Sequence, residues 1–424
     1  MGGILMGFLL VFFALGVPIA VAMGLASGLA IWWNEGAPLT VLVQRSFTSI
    51  DSFPLMAIPF FILAGVLMEF GGISKRLINL ANALTGHFSG GLGIVTVVTS
   101  MFFAAISGSS AATTAALGSI LIPAMIARGY HKNFTGAIQA SAGELGVIIP
   151  PSIPMILYGV STETSIGKMF MAGIIPGILI GLSLILTVYA IAKMRGYAKE
   201  TRKSGRELWQ SFREAFWALL MPVIILGGIY GGVFTPTEAA GVAVVYALLI
   251  GAFVYKEIRF KHLYTILSQS TITTSVIMFI IASAGLFGWI LTREGIPQLV
   301  AKFFIGVSES PVVFLILVNI FLLIVGMFME TGASIIILAP LLTPVAVQLG
   351  IDPVHFGIIM IVNLALGMCT PPLGVNLFIS CQIAGIRLEQ ITRGMMPFYL
   401  VLLIDLALIS FFPSISMWIT QFVE

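Results

Sequence analysis

Long apolar runs, separated by short polar breaks, dominate the chain. Residues 4–33, 54–70, 170–192, 215–234, 237–255, 264–292 and 396–418 are each long enough, or nearly so, to cross ~30 Å of hydrocarbon as helix. Amide groups inside lipid must be satisfied within their own segment, so the pattern predicts helices. A barrel would need short alternating strands, and the sequence has none. Four further segments, 89–127, 133–165, 311–349 and 354–384, are apolar but punctuated by Gly, Ser, Thr and Pro. Residues 38–50 and 257–268 mix polar and apolar positions at helical spacing, and are expected to lie flat on opposite membrane faces.

Composition narrows the class. Hydrophobic residues make up 59% of the 424 and charged residues 9%, too few to cover a water-facing surface. The first apolar run has no basic flank and continues to Trp32 and Trp33, which argues against a cleavable signal peptide. Two cysteines, Cys369 and Cys381, offer neither a disulfide framework nor a metal motif. The net charge of +3 fits basic cytoplasmic loops rather than nucleic-acid binding. Lys193–Arg213 is the strongest basic stretch and is placed in the cytoplasm. Alternation then puts Arg128, Lys132, Lys256, Arg259, Arg387 and Arg393 on that side, and Lys168, Arg293 and Lys302 opposite. Lys75 and Arg76 fit only if residues 74–86 form a surface helix. Trp32, Trp33, Trp209, Trp217 and Trp418 sit near span ends, as interfacial anchors do.

The two halves repeat. A shift of 221 residues carries Pro150-Pro151 onto Pro371-Pro372, Gly146 onto Gly367, Gly136 onto Gly357 and Gly129 onto Gly350. It also carries Gly173 and Pro176 onto Gly394 and Pro397. Shared Gly and Pro positions mean shared backbone breaks. An odd number of crossings separates the halves, so the repeats are expected to be inverted. The boundaries predicted are 1–192 for the first repeat, 193–213 for a cytoplasmic linker and 214–424 for the second repeat.

Two breaks fall in each repeat. Residues 89–127 read as a re-entrant helical hairpin entering from the cytoplasm, its tip at Ser107–Thr114. Residues 311–349 read as its partner from outside, with its tip at Glu330–Ser334. The double prolines then interrupt helices 133–165 and 354–384, leaving carbonyls without helical partners. Such groups in hydrocarbon need a partner, and a small hard cation held by oxygen supplies one. Two Na⁺ sites are therefore expected. Oxygens of Ser107, Ser109, Gly146, Ile149 and Pro151 form the first; Gly326, Glu330, Thr331, Gly367 and Thr370 form the second. Half-helix N-termini at these points offer positive dipole ends to an anionic substrate. The opposed tips are expected to enclose a cavity near Ser110, Ser152, Asn363 and Asn376.

Plainer readings stand beside these. The small residues at 107–114 also suit close helix packing. Glu144 and Glu330 either bind a cation or cap a helix; Glu238 after Thr235-Pro236 reads as a cap. Asp405 lies in an apolar helix and needs a polar partner that the sequence does not identify.

At these residues the chain resembles the large membrane subunit of TRAP (tripartite ATP-independent periplasmic) transporters, the DctM type. The stretches that carry the likeness are SGSSAATTAALGSILIP at Ser107–Pro123, GELGVIIPPSIP at Gly143–Pro154, TPTEAAGVA at Thr235–Ala243 and GMCTPPLGVN at Gly367–Asn376. The resemblance implies an all-α polytopic inner-membrane importer of organic acids such as dicarboxylates or sialic acid. It implies Na⁺ coupling and an elevator-type transport domain sliding against a scaffold. It also implies two partners, a small four-helix membrane subunit, expected on a separate chain, and a periplasmic substrate-binding protein.

Rival readings are a stand-alone ion-coupled anion carrier and, from another class, an intramembrane serine protease built on Ser109. The protease needs a base beside that hydroxyl, and His87, His131, His262 and His355 are all expected at helix ends near the surface. No GxxxxGK[ST] loop for an ATP-driven pump exists. A channel would not require broken helices in matched pairs.

Overall fold

The computed structural model describes all residues except 35, 36, 198, 200, 308, 423 and 424. Every regular element among the described residues is a helix. Nine of them are long and apolar enough to cross a membrane, ten if the bent pair at the first double proline counts as one span.

The chain opens with α1 (Gly2–Ala14) and α2 (Ile19–Asn34), which pack against each other. The single run expected over 4–33 is thus two helices. Gly16 takes φ +74°, and the Val17 and Gly16 amides donate to Phe12 and Phe13 carbonyls, 3.0 Å each. Pro18 then prevents the helix from resuming in phase. Next come α3 (Thr40–Ile50), α4 (Ala57–Phe70) and α5 (Ile73–Thr85). Helix α5 is the expected surface helix. Arg76 Nη1 donates to Glu257 Oε1 at 2.7 Å, tying α5 to the face that carries Lys256 and Arg259.

The first hairpin is α6 (Gly91–Ser107) and α7 (Ser110–Ala127), turning at Gly108, whose φ of +61° suits glycine. The first interrupted helix follows as α8 (Lys132–Gly143), α9 (Leu145–Ile148) and α10 (Ile153–Ser161), bent by 43° at the prolines. Helix α11 (Ile166–Arg195) closes the first repeat.

Helix α12 (Gly205–Tyr230) begins well inside the polar stretch 193–213, within which residues 198 and 200 lie outside the described set. A capping box explains the early start: Ser204 Oγ accepts from the Glu207 amide, and Glu207 accepts from the Ser204 amide. Helix α13 (Pro236–Leu249) has the same box from Thr235 and Glu238, the structural role expected of that glutamate. Helix α14 (Phe260–Arg293) is continuous over 34 residues, so residues 260–268 are the start of a span, not a separate flat helix. Helical hydrogen bonds carry on through polar residues, whereas a hydropathy pattern ends where polarity begins. The α3 segment is indeed separate, and packs on α14 with Arg45 5.2 Å from the Trp289 ring.

The second repeat continues with α15 (Ile296–Val307), then the hairpin α16 (Pro311–Phe328) and α17 (Thr331–Gln348). The second interrupted helix is α18 (Pro353–Gly367) and α19 (Val375–Ala384). Helix α20 (Leu388–Phe411) stops at Pro413, short of the span expected to 418, and a single turn, α21 (Ser414–Met417), follows.

The repeat is visible in backbone detail. Both double prolines contain a cis bond. Gly129 and Gly350 close α7 and α17 with φ of +82° and +80°. In each, the next amide reaches five residues back: Tyr130 to Met125 at 3.1 Å, Ile351 to Ala346 at 2.9 Å. The two halves also interlock. Helix α10 packs on α17 and α19 packs on α7, so the arm after each break serves the other repeat's hairpin. The five tryptophans expected at interfaces are all exposed.

Helices α4 and α13 pack against each other, and their ends meet at Gly71 and Gly251, where an added Cβ on either would lie 3.3 Å from the other's Cα. Gly251→Val is expected to lower stability by about 1–3 kcal/mol through overpacking. Thermal unfolding in detergent would check this, and an unchanged midpoint would show that the two helix ends are not held at this separation.

Candidate functional site

The site begins with local chemistry at each tip. In the first, Ser107 Oγ lies 2.7 Å from Thr113 Oγ1, and Thr113 donates to Ser109 O at 2.8 Å. Ser109 caps α7, its Oγ accepting from the Ala112 amide at 3.4 Å. In the second tip Met329 is extended, and Glu330 caps α17 with its carboxylate, accepting from Gly332 and Ala333 amides at 3.0 and 3.2 Å. The capping alternative for Glu330 is therefore realised.

Each break is sewn to its own hairpin. The Ile153 amide donates to Gly108 O at 3.2 Å, and the Gly374 amide to Met327 O at 3.4 Å. Glycine allows the approach. An added Cβ on Gly146 would sit 2.4 Å from Ser109 O; one on Gly367 would sit 2.5 Å from Gly326 Cα. Ser107, Ser109, Gly146 and Pro151 are thus gathered at one place, and Gly326, Glu330, Thr331 and Gly367 at the other. Thr331 Oγ1 points at Met368 Sδ, 3.0 Å away, and Thr370 Oγ1 donates to Leu366 O at 2.8 Å. Among the described residues no hydrogen bond reaches the carbonyls of Ile149, Pro150 and Pro151, or those of Thr370, Pro371 and Pro372. The first set lies in a mostly buried break; the second, at Pro371 and Pro372, is more open.

The tips do meet, around a narrow cavity of about 40 Å³. Gly108 and Ser109 line one side, Glu330, Gly332 and Ala333 another, and Ile153 and Pro154 at the start of α10 a third. Three helix N-termini, of α7, α10 and α17, therefore face one space. Their aligned amides favour an anion there, although Glu330 already holds part of the α17 end.

Of the residues expected to line a substrate cavity, none borders this one. Ser152 Oγ donates to Val147 O at 2.6 Å, inside the break. Ser110 and Asn376 form a cross-repeat pair, Nδ2 to Oγ at 2.6 Å, beside Ala140 O and Cys369 Sγ. Asn363 is held apart, its Nδ2 donating to Asn319 Oδ1 at 2.7 Å. Spacing had grouped these four because all are polar and near a break; long-range packing separates them. Sequence reasoning missed Thr113, whose four-residue spacing from Ser109 was a usable signal. It also missed Ile277 and Ile280 of α14, which wall the cavity and stand out in no local pattern. Asp405 finds its partner in Ser183. Glu144 meets the Cys369 thiol across the repeats, while its Oε2 has no hydrogen-bond partner.

The histidines need one correction. His355 is buried, not superficial, and its Nδ1 lies 2.6 Å from Ser416 Oγ. That contact ties α18 to α21; no histidine is a hydrogen-bond partner of Ser109. Among the described residues no three His, Cys, Asp or Glu side chains could share a metal ion.

Residues 6–415 match the family described as "Tripartite ATP-independent periplasmic transporter, DctM component". The chain belongs to this family. It is 47% identical to the C4-dicarboxylate TRAP transporter large permease protein DctM of Pseudomonas aeruginosa, over 93% of each chain. It is 40% identical to the sialic acid TRAP transporter large permease protein SiaM of Vibrio cholerae, over 99% of this chain and 98% of that one. It is also 47% identical to the isethionate TRAP transporter permease protein DctMQ of Oleidesulfovibrio alaskensis, covering 98% of this chain but 66% of that longer protein. The YdaH transporter of Alcanivorax borkumensis shares the fold, with TM-score 0.62 at 16% identity, over 90% of this chain and 89% of that one. This TRAP permease is thus a multi-pass inner-membrane transport subunit, not an enzyme.

Within the permease, the Ser110–Asn376 bond should couple the two repeats. A double-mutant cycle with Ser110→Ala and Asn376→Ala, read by unfolding in detergent, is expected to give about 0.5–1.5 kcal/mol. Additive losses would mean the bond contributes nothing. Gly367→Ala should be worse than either, because rigid backbone at Gly326 blocks the new methyl group; uptake is expected to fall at least about tenfold. Normal uptake by that variant would exclude the close approach.

Proposed function

We propose that this permease imports a small organic acid, of the dicarboxylate or sialic acid class, by Na⁺ symport. The observation that carries this reading is the two sets of break carbonyls that no hydrogen bond reaches, each beside a hairpin tip. Oxygen donors of this kind suit a hard monovalent cation. Ser107, Ser109, Gly146, Ile149 and Pro151 would hold one ion. Gly326, Glu330, Thr331, Gly367 and Thr370 would hold the other. Each ion would supply positive charge to oxygens left bare in a low-dielectric interior.

The substrate would lie in the cavity between the tips, its anionic group toward the N-termini of α7 and α10. Relatives named for C4-dicarboxylates, sialic acid and isethionate all carry acids, and this supports the substrate class. The α14 wall of the cavity is apolar at Ile277 and Ile280. An elevator movement would pass that face without breaking hydrogen bonds, the interlocked hairpins and broken helices sliding as one body. A small four-helix membrane subunit would brace the scaffold, and a periplasmic binding protein would deliver the acid. The runner-up reading is a carrier that works alone.

Reconstituted proteoliposomes separate these readings. A Na⁺ gradient should drive acid uptake only when the small subunit and a cognate binding protein are present; uptake of free acid without them favours the stand-alone carrier. Ser107→Ala and Thr331→Ala should each raise the Na⁺ concentration for half-maximal uptake by roughly three- to thirtyfold, the loss of one oxygen partner. An unchanged Na⁺ dependence in both variants would refute the assignment of the ion sites.

A further inference from the structure

Helix α12 carries two chemically different faces where it leaves the basic stretch. Arg206, Gln210, Arg213 and Trp217 succeed one another at three- or four-residue intervals and share one side. That side walls a pocket of about 540 Å³, bordered also by Arg76 of α5 and by Tyr255. Leu208, Phe212 and Leu219 lie on the neighbouring side. With Leu80 and Leu84 of α5 they wall an apolar groove of about 490 Å³. Trp209 borders both spaces, so the polar pocket and the apolar groove adjoin.

The charges are unevenly engaged. Arg76 is paired with Glu257 at 2.7 Å and lies 3.8 Å from the Tyr255 ring centre. Glu214 also lines the pocket, and its Oε1 accepts from Gln210 Nε2 at 3.1 Å. Arg206 and Arg213 are exposed and have no ion-pair partner among the described residues. Two free guanidiniums, two exposed indole rings and an adjoining greasy groove suit one kind of molecule. It has an anionic head and a long apolar tail. Inorganic phosphate shares the head chemistry but leaves the groove empty.

We propose that α12 and α5 form a binding site for an anionic phospholipid of the cytoplasmic leaflet. Arg206 and Arg213 pair with the phosphate charge, and Trp209 and Trp217 flank the glycerol region. One acyl chain runs down the groove between α5 and α12. The lipid thereby fastens the surface helix α5 to the first helix of the second repeat, independently of the transport cavity.

The test uses the full chain, purified in detergent and stripped of lipid. Phosphatidylglycerol should raise the thermal midpoint and survive as a bound species in native mass spectrometry. Phosphatidylcholine with the same acyl chains should do neither, nor should inorganic phosphate. The double variant Arg206→Gln/Arg213→Gln should keep the lipid-free midpoint and bind phosphatidylglycerol on the order of tenfold more weakly. Arg206→Lys/Arg213→Lys should retain most of the affinity, which controls for misfolding. Leu84→Gln should weaken phosphatidylglycerol binding through the groove. Equal effects of the two lipids, or full binding by the glutamine variant, would overturn the proposal. Stabilisation by inorganic phosphate as large as that by phosphatidylglycerol would assign the pocket to a free anion instead.

Discussion

An amide carbonyl inside hydrocarbon must find a partner, and most features of this protein answer that demand. Helices satisfy it almost everywhere. At two matched places proline removes the helical donor, and the chain has to solve the problem by tertiary contact. It does so partly by bringing each hairpin tip against its break. Single backbone hydrogen bonds, Ile153 to Gly108 and Gly374 to Met327, mark the contact in each repeat. Glycines at 146, 326 and 367 permit it, because a methyl group at any of them would collide with backbone. The carbonyls of Ile149, Pro151 and Thr370 stay bare after this packing, and they are among the oxygens proposed to hold the ions.

Interlocking makes the two repeats one device. The arm after each break leans on the opposite hairpin, and Ser110 and Asn376 bond across the boundary. Each break thus contacts the other repeat's hairpin as well as its own. The repeats are matched in backbone but not in chemistry. The first tip uses a left-handed glycine and hydroxyls, whereas the second uses an extended methionine and a carboxylate. The same scaffold thus offers a hydroxyl-bearing tip and a carboxyl-bearing one to a single cavity.

Much of the architecture was legible because its signals are local. Gly and Pro punctuation located both hairpins and both breaks within a few residues. Thr235, Pro236 and Glu238 announced a cap that the structure contains. Where reading failed, the reason was also local. The run 4–33 is apolar throughout, and one left-handed glycine divides it. Helices α12 and α14 extend beyond their apolar stretches, because a capped helix does not stop where hydropathy does.

Side-chain partnerships were a different matter. Asn363 was grouped with Asn376 by its distance from a break along the chain, yet packing hands it to Asn319. His355 looked superficial at a helix end, and the C-terminal turn buries it against Ser416. Asp405 needed a partner that only the approach of α11 to α20 could supply. The sequence by itself determined the class, the doubled plan and the points where helices break, since hydropathy, proline and glycine act on the nearest few residues. Which oxygens share a cavity, and which polar groups merely hold helices together, was decided by the tertiary structure. Those pairings join residues tens to hundreds of positions apart, and the pattern along a chain carries no measure of that distance.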